Sequence, residues 1–161
     1  MKKLKIFLML TIIGGLLLAG CSNDASEVVE PSISANEMVE EMLAKVEQPS
    51  LMELTPDLVK EMYNIDPEKL EDYAIRIPMM NVKTNEIAIL KVKDAADVSA
   101  VEEALKQRAQ TVQQQFETYL PDQYENAKNY KLVTKGNYVL FVISDQADEL
   151  VTEYDRFFNE Q

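Results

Sequence analysis

The run Val139-Leu140-Phe141-Val142-Ile143 carries an apolar side chain at every position. Successive residues of a strand point to opposite faces, so this strand is apolar on both and is expected as the central, buried strand of a sheet. It is the second arm of a hairpin, residues 130–135 and 138–144, closed around Gly136-Asn137. Glycine at the first central position suits a type II′ turn. An earlier hairpin is expected where Tyr73, Ile75, Ile77 and Met79 alternate with Ala74, Arg76, Pro78 and Met80. Its chain turns at residues 81–85 and returns over residues 86–93. Pro78 donates no ladder hydrogen bond, which argues for an edge position near that end.

Between the strands the apolar period becomes helical. Ser34-Ala35-Asn36-Glu37 is a capping box opening a helix to about Glu47, with Ala35, Met38, Met42 and Val46 on one face. Thr55-Pro56 starts a short helix ending near Tyr63, with Thr55 as cap, and Asp66-Pro67 starts a single turn. Asp97 is expected to cap the longest helix, residues 98–119. Its stripe is Val98, Val101, Leu105, Ala109, Val112, Phe116 and Tyr119. Pro121-Asp122 breaks it and begins a short helix through Lys128. Asp145 is expected to cap a last helix with Ala147, Leu150, Val151, Tyr154, Phe157 and Phe158 inward.

Hairpins give antiparallel pairs, and amphipathic helices need a face to cover. The expected fold is α+β. It is a two-layer domain with a four-stranded, mainly antiparallel sheet from two hairpins, covered by the long amphipathic helix and the C-terminal helix. Residues 34–161 form this single domain.

What precedes the domain reads as an address. Met1-Lys2-Lys3-Leu4-Lys5 is basic and residues 6–18 carry no charge. A basic start, a short apolar run and small residues at a cleavage point make a secretory signal. The run is too short for a transmembrane helix, which needs about 20 apolar residues. Leu18-Ala19-Gly20-Cys21 then matches the lipobox of bacterial lipoproteins at every position. Residues 1–20 are therefore expected to be removed and Cys21 to carry a diacylglycerol. One acyl chain binds a membrane marginally, whereas two hold stably. Residues 21–33, acidic and broken by Pro31, are expected as a flexible tether, about 12 residues spanning ~20 Å as a coil. The partner implied is membrane lipid through Cys21, on the extracytoplasmic face.

Charge and missing residue types narrow the chemistry. Lys2, Lys3 and Lys5 leave with the leader, so 13 cations face 28 acids, a net charge of −15. Such a surface repels nucleic acid and anionic headgroups. The chain has no His, which removes the commonest general base and metal ligand. Gly136 is the single glycine after Cys21, so no glycine-rich loop cradles phosphate. No cofactor or metal is expected. Cys21 is the only cysteine, so no disulfide forms.

Three segments carry a resemblance: Pro78-Met79-Met80-Asn81-Val82, Tyr119-Leu120-Pro121-Asp122-Gln123-Tyr124 and Lys135-Gly136-Asn137-Tyr138-Val139. With them the chain resembles an uncharacterised family of Gram-positive bacterial lipoproteins, domain of unknown function 4358. The resemblance implies a Gram-positive cell envelope and a lipid anchor. It implies no activity, substrate or catalytic residue.

Two segments are candidate binding surfaces. Met79, Met80 and Asn81 could line a partner groove, since methionine surfaces adapt to varied ligands, and thioethers could take Cu(I). The plainer alternative has one methionine filling the core and its neighbour covering the sheet. Tyr119, Pro121, Asp122 and Tyr124 could form a recognition loop. The plainer alternative is a helix-Pro-helix corner with Tyr119 and Leu120 packed inward and Asp122 capping. The expected function is a non-enzymatic binding or interaction module of the cell envelope, contacting an envelope protein or a small ligand. The alternative, a carboxylate-dependent cell-wall hydrolase, needs two acids ~5–9.5 Å apart across a cleft, one in apolar surroundings.

Overall fold

The computed structural model describes residues 29–159; the expected leader and Cys21 lie outside the described residues. In chain order the elements are α1 (Ala35–Lys45), β1 (Leu51–Glu53), α2 (Pro56–Tyr63), β2 (Leu70–Pro78), β3 (Glu86–Val92), α3 (Val98–Phe116), α4 (Pro121–Lys128), β4 (Lys131–Lys135), β5 (Tyr138–Ile143) and α5 (Ala147–Arg156). Among the described residues no helix is long and apolar enough to cross a membrane.

The fold is α+β, and the expected hairpins β2–β3 and β4–β5 both form. They join through β3 and β5 into a sheet ordered β1-β2-β3-β5-β4, every neighbouring pair antiparallel. The sheet has five strands rather than four, because β1 adds an edge. β1 has three residues, too few to display a period of two. Its place is fixed by ladder bonds: the Leu54 amide donates to the Ile75 carbonyl, and the Met79 amide to the Ser50 carbonyl, each at 3.0 Å.

β2 is consequently internal, which corrects the edge position expected from Pro78. In an antiparallel ladder the amides alternate sides. With Met79 donating toward β1, the nitrogen of Pro78 points to the β3 side, where pairing has already ended at Arg76↔Ile87. The proline therefore removes no bond. Gly136 has φ 57° and Asn137 is not among the described residues with positive φ, the combination a type II′ turn requires.

Strand alternation sorts the core into two. Ala88, Leu90 and Val92 of β3 and Val139, Phe141 and Ile143 of β5 pack with α2, α3 and α4. Their neighbours Ile87, Ile89, Leu140 and Val142 pack with α1 and α5. The domain therefore has three layers, not two. The long helix and the C-terminal helix both cover the sheet, but on opposite faces. β5 is buried along its whole length because it has helices on both sides; β3 lies at the middle of the sheet.

The capping box at α1 is present: the Glu37 amide donates to Ser34 Oγ at 3.2 Å and the Ser34 amide to Glu37 Oε2 at 2.9 Å. Three other expected caps differ. Thr55 makes no side-chain cap bond. Asp97 makes none either and instead receives Lys69 at 2.8 Å, while Asp94 caps the short turn before α3. At α5 the buried Ser144 hydroxyl, not Asp145, accepts the Gln146 amide at 3.0 Å. Asn64 ends α2 in the left-handed region, φ 54°, a conformation asparagine tolerates better than most residues.

Two buried tyrosines on opposite faces give a contrast that can be measured. Tyr154 is fully buried and its hydroxyl has no hydrogen-bond partner among the described residues. Tyr63, equally buried, donates its hydroxyl to Glu86. Tyr154→Phe is expected to be neutral or to stabilise by up to about 1 kcal/mol, and Tyr63→Phe to cost about 1–3 kcal/mol. Urea midpoints at constant m value read both. Burial, reinforced by nearby charge, holds both phenols well above their ordinary range. Above pH ~10 the unfolded chain ionises them while the folded chain does not. Stability therefore falls as pH rises through that range, and less steeply in either Phe variant.

Candidate functional site

The sheet has two unlike ends. At one, the chain comes in from its N-terminal side: Glu30 pairs with Lys91 at 3.0 Å, the Ala35 amide donates to Asp72 at 2.7 Å, and Ile33 packs against the core. At the other lie the end of β2, the start of β3 and the end of β5. Glu86 and Lys91 mark these two ends on β3, ~17 Å apart at ordinary strand rise.

At the far end the β2–β3 loop leans over α3 and leaves a cleft of about 270 Å³. Its walls are largely apolar, including Met62, Ile77, Val112 and Phe116, and its lip carries Met79, Met80, Asn81 and Lys83. Glu86 and Arg108 also line it. They are 1% and 8% exposed. Arg108 grips Glu86 with both ends of a fork, Nε to Oε1 and Nη2 to Oε2, each at 2.9 Å. The Tyr63 hydroxyl donates to Oε1, and the guanidinium lies 5.3 Å from the Tyr63 ring centre. Burial works against the Arg108 charge, but the hydrogen bonds and charge of Glu86 outweigh it and raise the guanidinium above its ordinary value. Burial keeps Tyr63 protonated, hence a donor.

This cleft brings together Met79, Met80 and Asn81. Both methionines are exposed, 63% and 52%, so neither fills the core. The Met79 amide still pairs with the Ser50 carbonyl, and the chain bends and turns over residues 79–82. The second candidate segment is elsewhere. Tyr119 is 64% exposed rather than packed inward, because α3 ends at Phe116 and the stripe ends with it. Pro121 opens α4 and Asp122 is exposed in its first turn without capping; Leu120 holds the cap position. Tyr124 packs partly against the core, with Lys128 over its ring at 5.2 Å. None of these four lines the cleft. Gln123, between them, does reach the loop: its side-chain oxygen accepts the Thr84 amide at 3.0 Å and its carbonyl accepts the Thr84 hydroxyl at 3.2 Å.

On the other side of the loop lies a second, polar cleft of about 450 Å³, whose lining includes Gln48, Asn85, Gln123, Asn126 and Gln146. Lys83 lines both clefts. Asn85 is buried and donates to Gln48 at 3.0 Å and Ser144 at 3.4 Å.

A family model described as domain of unknown function (DUF4358) matches residues 44–144. The chain belongs to this family. The DUF4358 match takes in the whole sheet, α2, α3 and α4, and with them every residue of the methionine cleft. α5 and most of α1, which cover the opposite face, fall outside it. No curated protein and no solved structure gives a match.

Glu86, Arg108, Tyr63 and Lys83 are not found by a search for catalytic motifs. A signal for three of them was nonetheless present. Arg108 falls on the α3 stripe between Leu105 and Val112, where a charge is out of place. Glu86 begins the set Glu86, Ala88, Leu90, Val92 that shares one strand face. Tyr63 sits four residues after the buried Val59, on the inward side of α2. A cation and an anion on two facing apolar stripes imply that they meet.

Proposed function

We propose that this DUF4358 protein is a membrane-anchored extracytoplasmic lipoprotein of a Gram-positive envelope, and that it acts as a non-enzymatic binding module. The anchor rests on the basic start, the short apolar run and Leu18-Ala19-Gly20-Cys21. The binding reading rests above all on one observation: the exposed pair Met79-Met80 edges an apolar-walled cleft at the end of the sheet opposite the N-terminal approach. A chain held by lipid at Cys21 would present that end away from the bilayer, toward other envelope components. Met side chains are flexible and polarizable, which suits an adaptable contact surface.

Catalysis by paired carboxylates is supported less well. Among the described residues Glu86 is the one carboxylate lining the methionine cleft, and both its oxygens accept hydrogen bonds. Glu47 and Asp145 line the polar cleft, but carboxamides dominate its walls, not the apolar surroundings that a proton-donating acid requires.

Cross-linking in intact cells tests the binding reading. A photoreactive residue in place of Met80 is expected to give discrete adducts that the same residue at Lys135, at the other end of the sheet, does not. Identical patterns from both positions, or self-links alone from position 80 across growth states, would remove it.

A further inference from the structure

The floor of the methionine cleft holds a charge that the fold leaves partly unused. Arg108 spends Nε and Nη2 on Glu86. Its other terminal nitrogen, Nη1, has no hydrogen-bond partner among the described residues. Arg108 is 8% exposed and lines the cleft, so part of this side chain meets the cleft's solvent. Glu86 already accepts three hydrogen bonds, two at Oε1 from Tyr63 and Arg108 and one at Oε2 from Arg108. Lys83 is the other cation lining the cleft. Among the described residues the lining of this cleft holds two cations and one acid, on a chain of net charge −12, while Glu47 and Asp145 face Lys83's other side in the polar cleft. Around that polar floor the walls are apolar and the lip is methionine.

Resting on the reading of this cleft as the binding site, we propose that its ligand is a free single-chain carboxylate of the fatty-acid type. The head would accept hydrogen bonds from Arg108 Nη1 and Lys83, and the chain would lie along Met62, Phe116, Met79 and Met80. Hydrogen bonds between ionised partners are the strong ones, and more so out of bulk water. A cleft of about 270 Å³ is below the ~300–1,000 Å³ typical of drug-sized ligands, which favours a short, thin chain over a bulky body. The chain-bearing methionines can repack around different lengths.

The test uses the full chain in zwitterionic nanodiscs, with ¹³C-labelled methionine methyl groups. Octanoate is expected to shift the Met62, Met79 and Met80 methyls saturably, leaving Met38 and Met42 on the opposite face unmoved. Octanol, which lacks the charge, is expected to bind about tenfold or more weaker, as is octanoate to Lys83→Ala. Neither arm depends on disturbing the buried pair. Equal binding of octanol and octanoate would overturn the proposal, as would equal binding of acetate, or no saturable shift at all. Shifts produced by anionic nanodisc lipid alone would also overturn it, by making the bilayer the occupant. Adducts from Met80 in cells without an octanoate response would remove this ligand class and leave the binding reading standing.

Discussion

Arg108→Met is expected to destabilise the domain by about 3–5 kcal/mol, because it strands Glu86 as an uncompensated charge inside the protein. The energy lies less in the attraction between the pair than in the desolvation that the pair makes tolerable. Glu86 is 1% exposed and sits at the start of the inward-facing set of β3, so in this variant the Tyr63 hydroxyl is the one protein donor left to its carboxylate among the described residues. For a domain whose total stability is of order 5–15 kcal/mol, that loss brings unfolding close to ambient conditions. The diagnostic variant is the double, Glu86→Gln with Arg108→Met. It removes both charges, keeps an acceptor for Tyr63, and is expected to recover most of the loss. Urea denaturation of the single and double variants reads the difference. A double variant as unstable as the two singles combined would mean that packing, not charge pairing, is what these side chains supply.

Leu140→Ala and Phe141→Ala carry the second large effect. The two residues are neighbours on β5 with side chains on opposite faces, Leu140 against α1 and α5 and Phe141 against the α3 layer, both fully buried. Each truncation leaves a cavity in a separate core. The expected costs are about 2–5 kcal/mol for Leu140→Ala and about 3–5 kcal/mol for Phe141→Ala. In a two-layer domain one of these faces would meet solvent and its truncation would cost about 0.5 kcal/mol or less. Two comparable losses at adjacent positions are therefore specific to a sheet covered on both sides. Because the two residues are consecutive on β5, any departure of the double variant from additivity reads the coupling of the two cores through that strand's backbone.

How far the sequence discloses this architecture depends on the length scale of each signal. β2, β3 and β5 are long enough to show alternation or a doubly apolar run, and α3 long enough to show a stripe, so both hairpins and the long helix were legible. β1 was not, because three residues carry no period and its pairing depends on where β2 happens to lie. The third layer was half legible: β5 is apolar on both faces, which already demands cover on both. The α1 stripe Ala35, Met38, Met42, Val46 was visible, but which face it covers depends on the path of residues 46–50, not on any local pattern. Caps were legible where a side chain has one nearby amide to accept, as at Ser34. They were misassigned where a competitor lies across the fold, as with Lys69 drawing Asp97. The candidate site divides in the same way. Met79, Met80 and Asn81 stand out locally, whereas the Glu86–Arg108–Tyr63 floor is assembled from three elements and becomes evident only when their inward faces are superposed.

The orientation of the cleft away from a bilayer has meaning only if lipid fastens the chain at Cys21. Mass spectrometry of the native protein extracted from membranes decides this most directly. The account predicts an N-terminal peptide that starts at Cys21 and carries the mass of a thioether-linked diacylglycerol. An unmodified peptide starting at Met1 would contradict it.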